Sequence, residues 1–157
     1  MSENIGEIGE FSLIAKIRDW LEDAGGSMPA GPEVGDDCAV FLPPAGHELL
    51  LTCDSLVEGR HYLPSLIGYC DLGRRAMVQN ISDIGAMGGL PLHALVSLGL
   101  RPETEVRDIE ELYRGFFAEL SPLGASIVGG NITSAGTGQF IDITVVGSVP
   151  RGRAVYR

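Results

Sequence analysis

The chain has 157 residues, enough for one domain with a buried core and short for two. Apolar residues make up 45% and charged residues 20%, without a low-complexity stretch, which excludes disorder as the main state. Eleven basic against 21 acidic side chains give a net charge of −10, and Lys16 is the one lysine, which excludes a nucleic-acid surface built on a basic patch. Phosphorylated small molecules stay open, because divalent metals reverse the sign of a local acidic site. No apolar run reaches the roughly 18 residues of a membrane span, and Met1-Ser2-Glu3-Asn4 lacks the order of a signal peptide, so no membrane partner and a cytoplasmic location are expected.

In chain order, Phe11, Leu13, Ile14, Ile17, Trp20 and Leu21 predict one apolar helix face, ended by Gly25-Gly26. Two short apolar runs, Cys38 to Leu42 and Glu48 to Cys53, joined by Pro43-Pro44-Ala45-Gly46, predict a hairpin. An irregular stretch from Ser55 to Tyr69 precedes a helix opening at Asp71 and stopped by Gly88-Gly89. Leu92, Ala94, Val96, Leu98 and Leu100 alternate with His93, Ser97 and Gly99 as in a half-buried strand. A helix from Asp108 to Leu120, a short strand from Ala125 to Val128 and a last strand from Phe140 to Val149 complete the reading.

The expected fold class is α/β (α+β), a mixed five-stranded sheet with helices on one face. Leu95, Phe140 and Val146 fall on the opposite face, which is therefore partly apolar and calls for a partner, most simply a second copy of the chain.

Acidic residues stand at element ends: Asp36-Asp37 before the first strand, Asp54 after the second, Asp83 near the end of the second helix. Carboxylates gathered within about 5 Å repel by roughly 3 kcal/mol at an effective dielectric near 20, so such a cluster needs a cation, and hard oxygen ligands suit Mg²⁺. Each aspartate taken singly serves as well in an Asx turn or N-cap. Gly129-Gly130-Asn131 allows close backbone approach to a ligand, or forms an ordinary tight turn. His61, on a loop, either contacts a ligand or is an idle surface histidine, whereas His47 and His93 read as structural. Cys38, Cys53 and Cys70 form no C-x-x-C pair and read as buried small apolar groups. No P-loop or dinucleotide fingerprint is present.

Seven blocks occur in an order that resembles the thiamine-monophosphate kinase family. They are Gly9-Glu10-Phe11-Ser12-Leu13-Ile14, Gly35-Asp36-Asp37-Cys38-Ala39-Val40, Thr52 through Tyr62, Asp71-Leu72-Gly73, Asn80 through Gly88, Val128-Gly129-Gly130-Asn131 and Val149 through Ala154. The wider aminoimidazole-ribotide synthetase superfamily shares mainly the Asn-x-x-Asp and Gly-Gly blocks.

The resemblance implies transfer of the γ-phosphoryl of ATP to thiamine monophosphate, giving thiamine diphosphate. It places Asp37, Thr52, Cys53, Asp54 and Asp83 on magnesium positions, with Asp54 and Asp83 serving catalysis. His61 falls on a substrate position, and Tyr113, Gly130, Asn131 and Arg157 on nucleotide positions. Asn131 stands where the family usually has an aspartate, and Cys53 where it has Thr or Ser. The chain would then be the amino-terminal ATP- and Mg²⁺-binding domain, residues 1–157, without the family's carboxy-terminal domain. Such domains pair as homodimers whose two sheets form a barrel, with ATP near the seam. The isolated chain is expected not to turn over. The other readings are another ATP-using superfamily member, such as a hydrogenase-maturation or selenophosphate-type protein, and a nucleotide-binding or dimerisation domain without turnover.

Overall fold

The computed structural model describes residues 3–23, 37–136 and 138–157. Asp36 and the glycine- and proline-rich passage containing Gly25-Gly26 and Gly35 lie outside them. The elements are α1 (Ile5–Ile8), α2 (Glu10–Asp23), β1 (His47–Val57), α3 (Tyr69–Ala86), β2 (Leu90–Leu100), α4 (Val106–Leu120), β3 (Ser126–Ser134) and β4 (Phe140–Pro150), with a 3₁₀ turn at Ser121–Leu123.

The four strands form one mixed sheet in the order β1-β4-β2-β3. β4 pairs antiparallel with both β1 and β2, while β2 and β3 run parallel. Parallel neighbours need a crossover, and α4 supplies it. Period-2 alternation sends Leu56, Ala94, Val96, Leu98, Ile141, Ile143 and Val145 to one face, where they join the core with residues of α2, α3 and α4. The helices are thus on one side, as expected. The other face carries Leu51, Cys53, Leu95, Ser97, Asp142, Thr144 and Val146.

Each helix buries an i, i+3, i+4 stripe. In α4 it is Ile109, Leu112, Phe116 and Leu120, and in α3 it is Leu72, Ala76, Met77, Asn80 and Ile84. The two helices cross at Gly73 and Gly115, where a Cβ would stand 2.2 Å from Leu112 O and 2.1 Å from Cys70 O respectively. Gly88-Gly89 ends α3 in a Schellman motif: Gly88 N–H donates to Gly85 O at 2.9 Å and Gly89 N–H to Ile84 O at 3.1 Å, with Gly88 at φ +78°.

Four of the sequence expectations are corrected. The expected hairpin does not form, and among the described residues the sheet has four strands, not five. Pro43-Pro44 remove backbone donors, and Cys38 to Leu42 is apolar because Ala39 and Phe41 cover the open sheet face, with the Phe41 ring 4.5 Å from His93. Secondly, β3 does not stop at Val128 but runs through the glycine pair to Ser134. Thirdly, α3 opens at Tyr69 after Gly68, leaving Asp71 inside the first turn, where it still faces the positive end of the helix dipole. Finally, Phe11 is 87% exposed, because it lies two residues, or about 200°, from Leu13 around the helix axis.

Candidate functional site

The same alternation that builds the core divides the candidate residues between the two faces of the sheet. Thr52 and Asp54 share the helix-covered face with Leu56, and the α3 residue above them is Asp83: Thr52 Oγ1 donates to Asp83 Oδ2 at 2.9 Å. Residues 31 apart in sequence are thereby joined across the strand–helix seam. Asp83 lies one helical turn before Met87, and Met87 O accepts the Val155 N–H at 3.0 Å, which brings the C-terminal segment carrying exposed Arg157 to this same end of α3.

Cys53 points the other way. Its thiol donates to Asp142 Oδ1 at 3.1 Å on the open face. A hydrogen bond with Thr144 draws the thiol pKa down, but the bond to Asp142, burial and the charges of Asp142 and Asp54 outweigh it, leaving the thiol above its ordinary range. The expectation of buried apolar cysteines is corrected: Cys38 and Cys53 are exposed and Cys70 is half-buried. In Cys53 the reason is position, since odd-numbered residues of β1 face outward.

The open face holds a cavity of about 560 Å³ lined by Asp37, Ser97, Gly130, Asn131, Asp142 and Thr144 among others. Asp37 therefore lines the same cavity as Asn131 and Asp142, and Asp83 is not part of that lining. A second cavity, about 190 Å³, lies between α2 and β3 and includes Tyr113, Gly130 and Asn131. Tyr113 is deeply buried against Trp20, Phe116 and Phe117, and that burial pushes its hydroxyl pKa far upward. Gly130 and Asn131 border both cavities. A Cβ on Gly130 would stand 1.8 Å from Val96 O, so glycine is required there by strand packing itself.

His61 belongs to neither cavity. It sits beyond β1 on a turn where Val57 N–H donates to its Nδ1 at 3.0 Å. His47 caps the start of β1 through Ala45 O at 3.1 Å, and His93, its pKa lowered by burial, reaches Ser126 Oγ at 3.3 Å; both act locally.

Sequence reasoning missed two features. Asp142 is one, and its signal was available: a lone acid alternating with Ile141, Ile143 and Val145. The other is a clasp at the end of the sheet where β1 finishes and β4 begins. Glu58 accepts Arg101 Nη1 at 2.7 and 2.9 Å and the Gln139 N–H at 3.0 Å, while the Gln139 side chain donates to Thr104 and accepts from Tyr69. The Gln139 backbone bond first, and the Arg101 pair with it, hold the Glu58 carboxyl below the usual range despite burial.

Thr52, Asp54 and Asp83 form a hard oxygen donor set, but among the described residues no three His, Cys, Asp or Glu side chains gather into a metal cage. Oxygen donors of this kind suit a hard cation such as Mg²⁺, which is held by one or two carboxylates and completed by water and phosphate oxygens. Among the described residues no helix is long and apolar enough to cross a membrane.

Comparison with known proteins fits this geometry. A family model for AIR synthase related protein, N-terminal domain, matches residues 35–149, and the chain belongs to that family. Thiamine-monophosphate kinase of Salmonella typhimurium is 35% identical over 149 residues, covering 95% of this chain and 44% of that protein. The crystal structure of thiamine-monophosphate kinase from Stenotrophomonas maltophilia K279a matches with a TM-score of 0.75 at 30% identity, over 87% of this chain and 42% of its own. AaThiL complexed with AMPPCP and TMP matches with a TM-score of 0.65 at 35% identity, over 96% and 45%. The chain thus spans less than half the length of these relatives.

Proposed function

We propose that this chain is the nucleotide- and magnesium-binding half of a kinase that moves the γ-phosphoryl of ATP onto thiamine monophosphate. The observation that carries the reading is the Thr52–Asp83 bond, which joins the two acidic blocks of the sequence at one seam, with Asp54 on the same face. The kinases similar to this chain are named for that acceptor, and one solved relative is complexed with AMPPCP and TMP.

Thr52, Asp54 and Asp83 hold Mg²⁺ on this reading, and Asp37, which lines the open-face cavity with Asn131 and Asp142, belongs to a separate Mg²⁺ position. The Cys53 thiol is directed away from them, so that position contributes no soft ligand. Bound Mg²⁺ supplies charge neutralisation to the β- and γ-phosphates, which a chain of net charge −10 with one lysine otherwise lacks. Gly130 admits close backbone approach, Asn131 offers a neutral oxygen, and Tyr113 and Arg157 complete the nucleotide side. His61 faces the acceptor.

Leu51, Leu95 and Val146 give the open sheet face its apolar character, and a homodimer built on that face buries them. The place of action is the cytoplasm. Acceptor-holding groups beyond residue 157 complete the site, so residues 1–157 alone bind nucleotide without turnover. The test is thiamine diphosphate formation by a full-length kinase carrying these residues. Asp83→Asn should lower it at least about 100-fold, the scale of losing a metal contact worth several kcal/mol. ATP consumption that thiamine monophosphate does not stimulate would overturn the reading.

A further inference from the structure

The clasp centred on Glu58 ends directly on the turn that carries His61. The Glu58 carboxylate accepts Arg101 Nη1 on both oxygens, at 2.7 and 2.9 Å, and the Gln139 N–H at 3.0 Å, while the Glu58 N–H donates to Gln139 O at 2.9 Å. Side chain and backbone of one residue are thereby fixed from the end of β2 and the start of β4. The ion pair is 17% exposed at Glu58 and 34% at Arg101, so solvent and salt screen it less than a surface pair.

The base from which Arg101 reaches is held as well. Thr104 N–H donates to Arg101 O at 3.0 Å. The amino-terminal segment closes over the same loop, with Ile5 N–H on Thr104 O at 3.0 Å, Gly6 N–H on Pro102 O at 2.9 Å and Val106 N–H on Glu3 O at 3.0 Å. The Gln139 side chain braces it by donating to Thr104 and accepting from Tyr69 at 3.1 Å.

Beyond Glu58 the chain turns at once. Glu58 bridges to Tyr62, Gly59 N–H donates to Tyr62 O and His61 N–H to Val57 O, both at 2.8 Å, and Val57 N–H donates to His61 Nδ1 at 3.0 Å. That last bond leaves Nδ1 unprotonated and puts the ring hydrogen on Nε2. The ring itself is exposed, so its tautomer and direction follow the shape of the turn.

We propose that Glu58 and Arg101 are positioning residues for His61: their ion pair, braced by Gln139, holds the turn in the shape in which Val57 N–H meets Nδ1, and so presents Nε2–H outward. The inference names what sets His61, and it rests on the kinase reading only for the use made of the ring.

The test is ¹⁵N NMR of the 157-residue chain near pH 8, where imidazole is neutral. The wild type should show the Nε2–H tautomer at His61. Arg101→Met should move both His61 ring nitrogens toward the values of mixed tautomers and speed exchange of the Val57 amide at least about tenfold, with the His47 and His93 rings unmoved. Arg101→Lys should recover part of the loss. Glu58→Gln, which keeps the size and an acceptor oxygen, is the milder second variant and should move the same signals less. In a full-length kinase carrying these residues, Arg101→Met should raise KM for thiamine monophosphate about fivefold or more and leave KM for ATP unchanged. A lower unfolding midpoint with the His61 nitrogens and the Val57 amide unmoved would make the clasp a stabiliser of the fold and overturn the positioning role. Moved ring nitrogens with an unchanged KM for thiamine monophosphate would overturn it too. If thiamine monophosphate fails to stimulate ATP consumption by the wild type, the kinase reading falls, and the ring signals still decide whether the clasp sets His61.

Discussion

Four strands supply both faces of the sheet, yet the two faces are chemically unlike. On the helix side Leu56, Val96, Leu98, Ile143 and Val145 are at most 2% exposed, and the polar residues Thr52 and Asp54 appear only toward the edge strand β1. On the other side Leu51 is 70% and Leu95 39% exposed, interleaved with Asp142, Thr144 and Cys53. The first pattern is a core that stabilises the fold and ends in a metal-suited edge. The second is a surface, part apolar and part acidic, whose residues are free to serve binding because stability does not depend on them.

The largest effect follows directly. Ile143→Ala removes a fully buried side chain beneath α3 and should cost about 2–5 kcal/mol in denaturant unfolding, whereas Leu51→Ala should cost under about 0.5 kcal/mol in the monomer. Equal losses would erase the distinction between the faces. If the open face pairs with a second copy, light scattering at tens of micromolar should give twice the chain mass, and Leu95→Asp should weaken association at least about tenfold with unchanged far-UV circular dichroism. A monomeric wild type would remove the dimer from the account.

A smaller effect separates the two faces at a single strand. The carboxylate of Asp142 raises the Cys53 thiol by hydrogen bond and by charge, while Thr144 acts in the opposite sense. Asp142→Asn removes the two raising contributions that come from this carboxylate and leaves the Thr144 bond, with burial and the Asp54 charge unchanged, so the thiolate fraction at pH 8 should rise. Peptide mapping after iodoacetamide should show Cys53 alkylated several-fold faster in the variant, with Cys38 unchanged. An unchanged Cys53 rate would mean that Asp142 does not govern it.

Legibility in the sequence followed the same division. The alternation in β2 and the helical stripe in α4 were readable because burial on one side imposes a period, and Gly88-Gly89 because a helix end demands a left-handed residue. The run containing Phe41 reads as a strand because a segment lying over a sheet face is as apolar as a strand within one. Gly130 reads as a strand end because the chemistry that requires it, contact with Val96 O, belongs to a neighbouring strand. The Thr52–Asp83 pairing and the Glu58–Arg101–Gln139 clasp join residues 31 to 81 apart, and no local pattern encodes such distances. The ordered sequence blocks named Thr52, Cys53 and Asp83; only the fold places Thr52 against Asp83 and turns Cys53 away.

On the proposed reading, a nucleotide polyphosphate is tolerated beside Thr52, Asp54 and Asp83 only through a divalent cation. Calorimetric titration of AMPPCP into the 157-residue chain, with Mg²⁺ and again with EDTA, addresses it most directly. The account predicts an affinity at least about tenfold higher with Mg²⁺ and an advantage largely lost in Asp83→Asn; equal affinity in the two conditions, or a magnesium advantage untouched by Asp83→Asn, would contradict it.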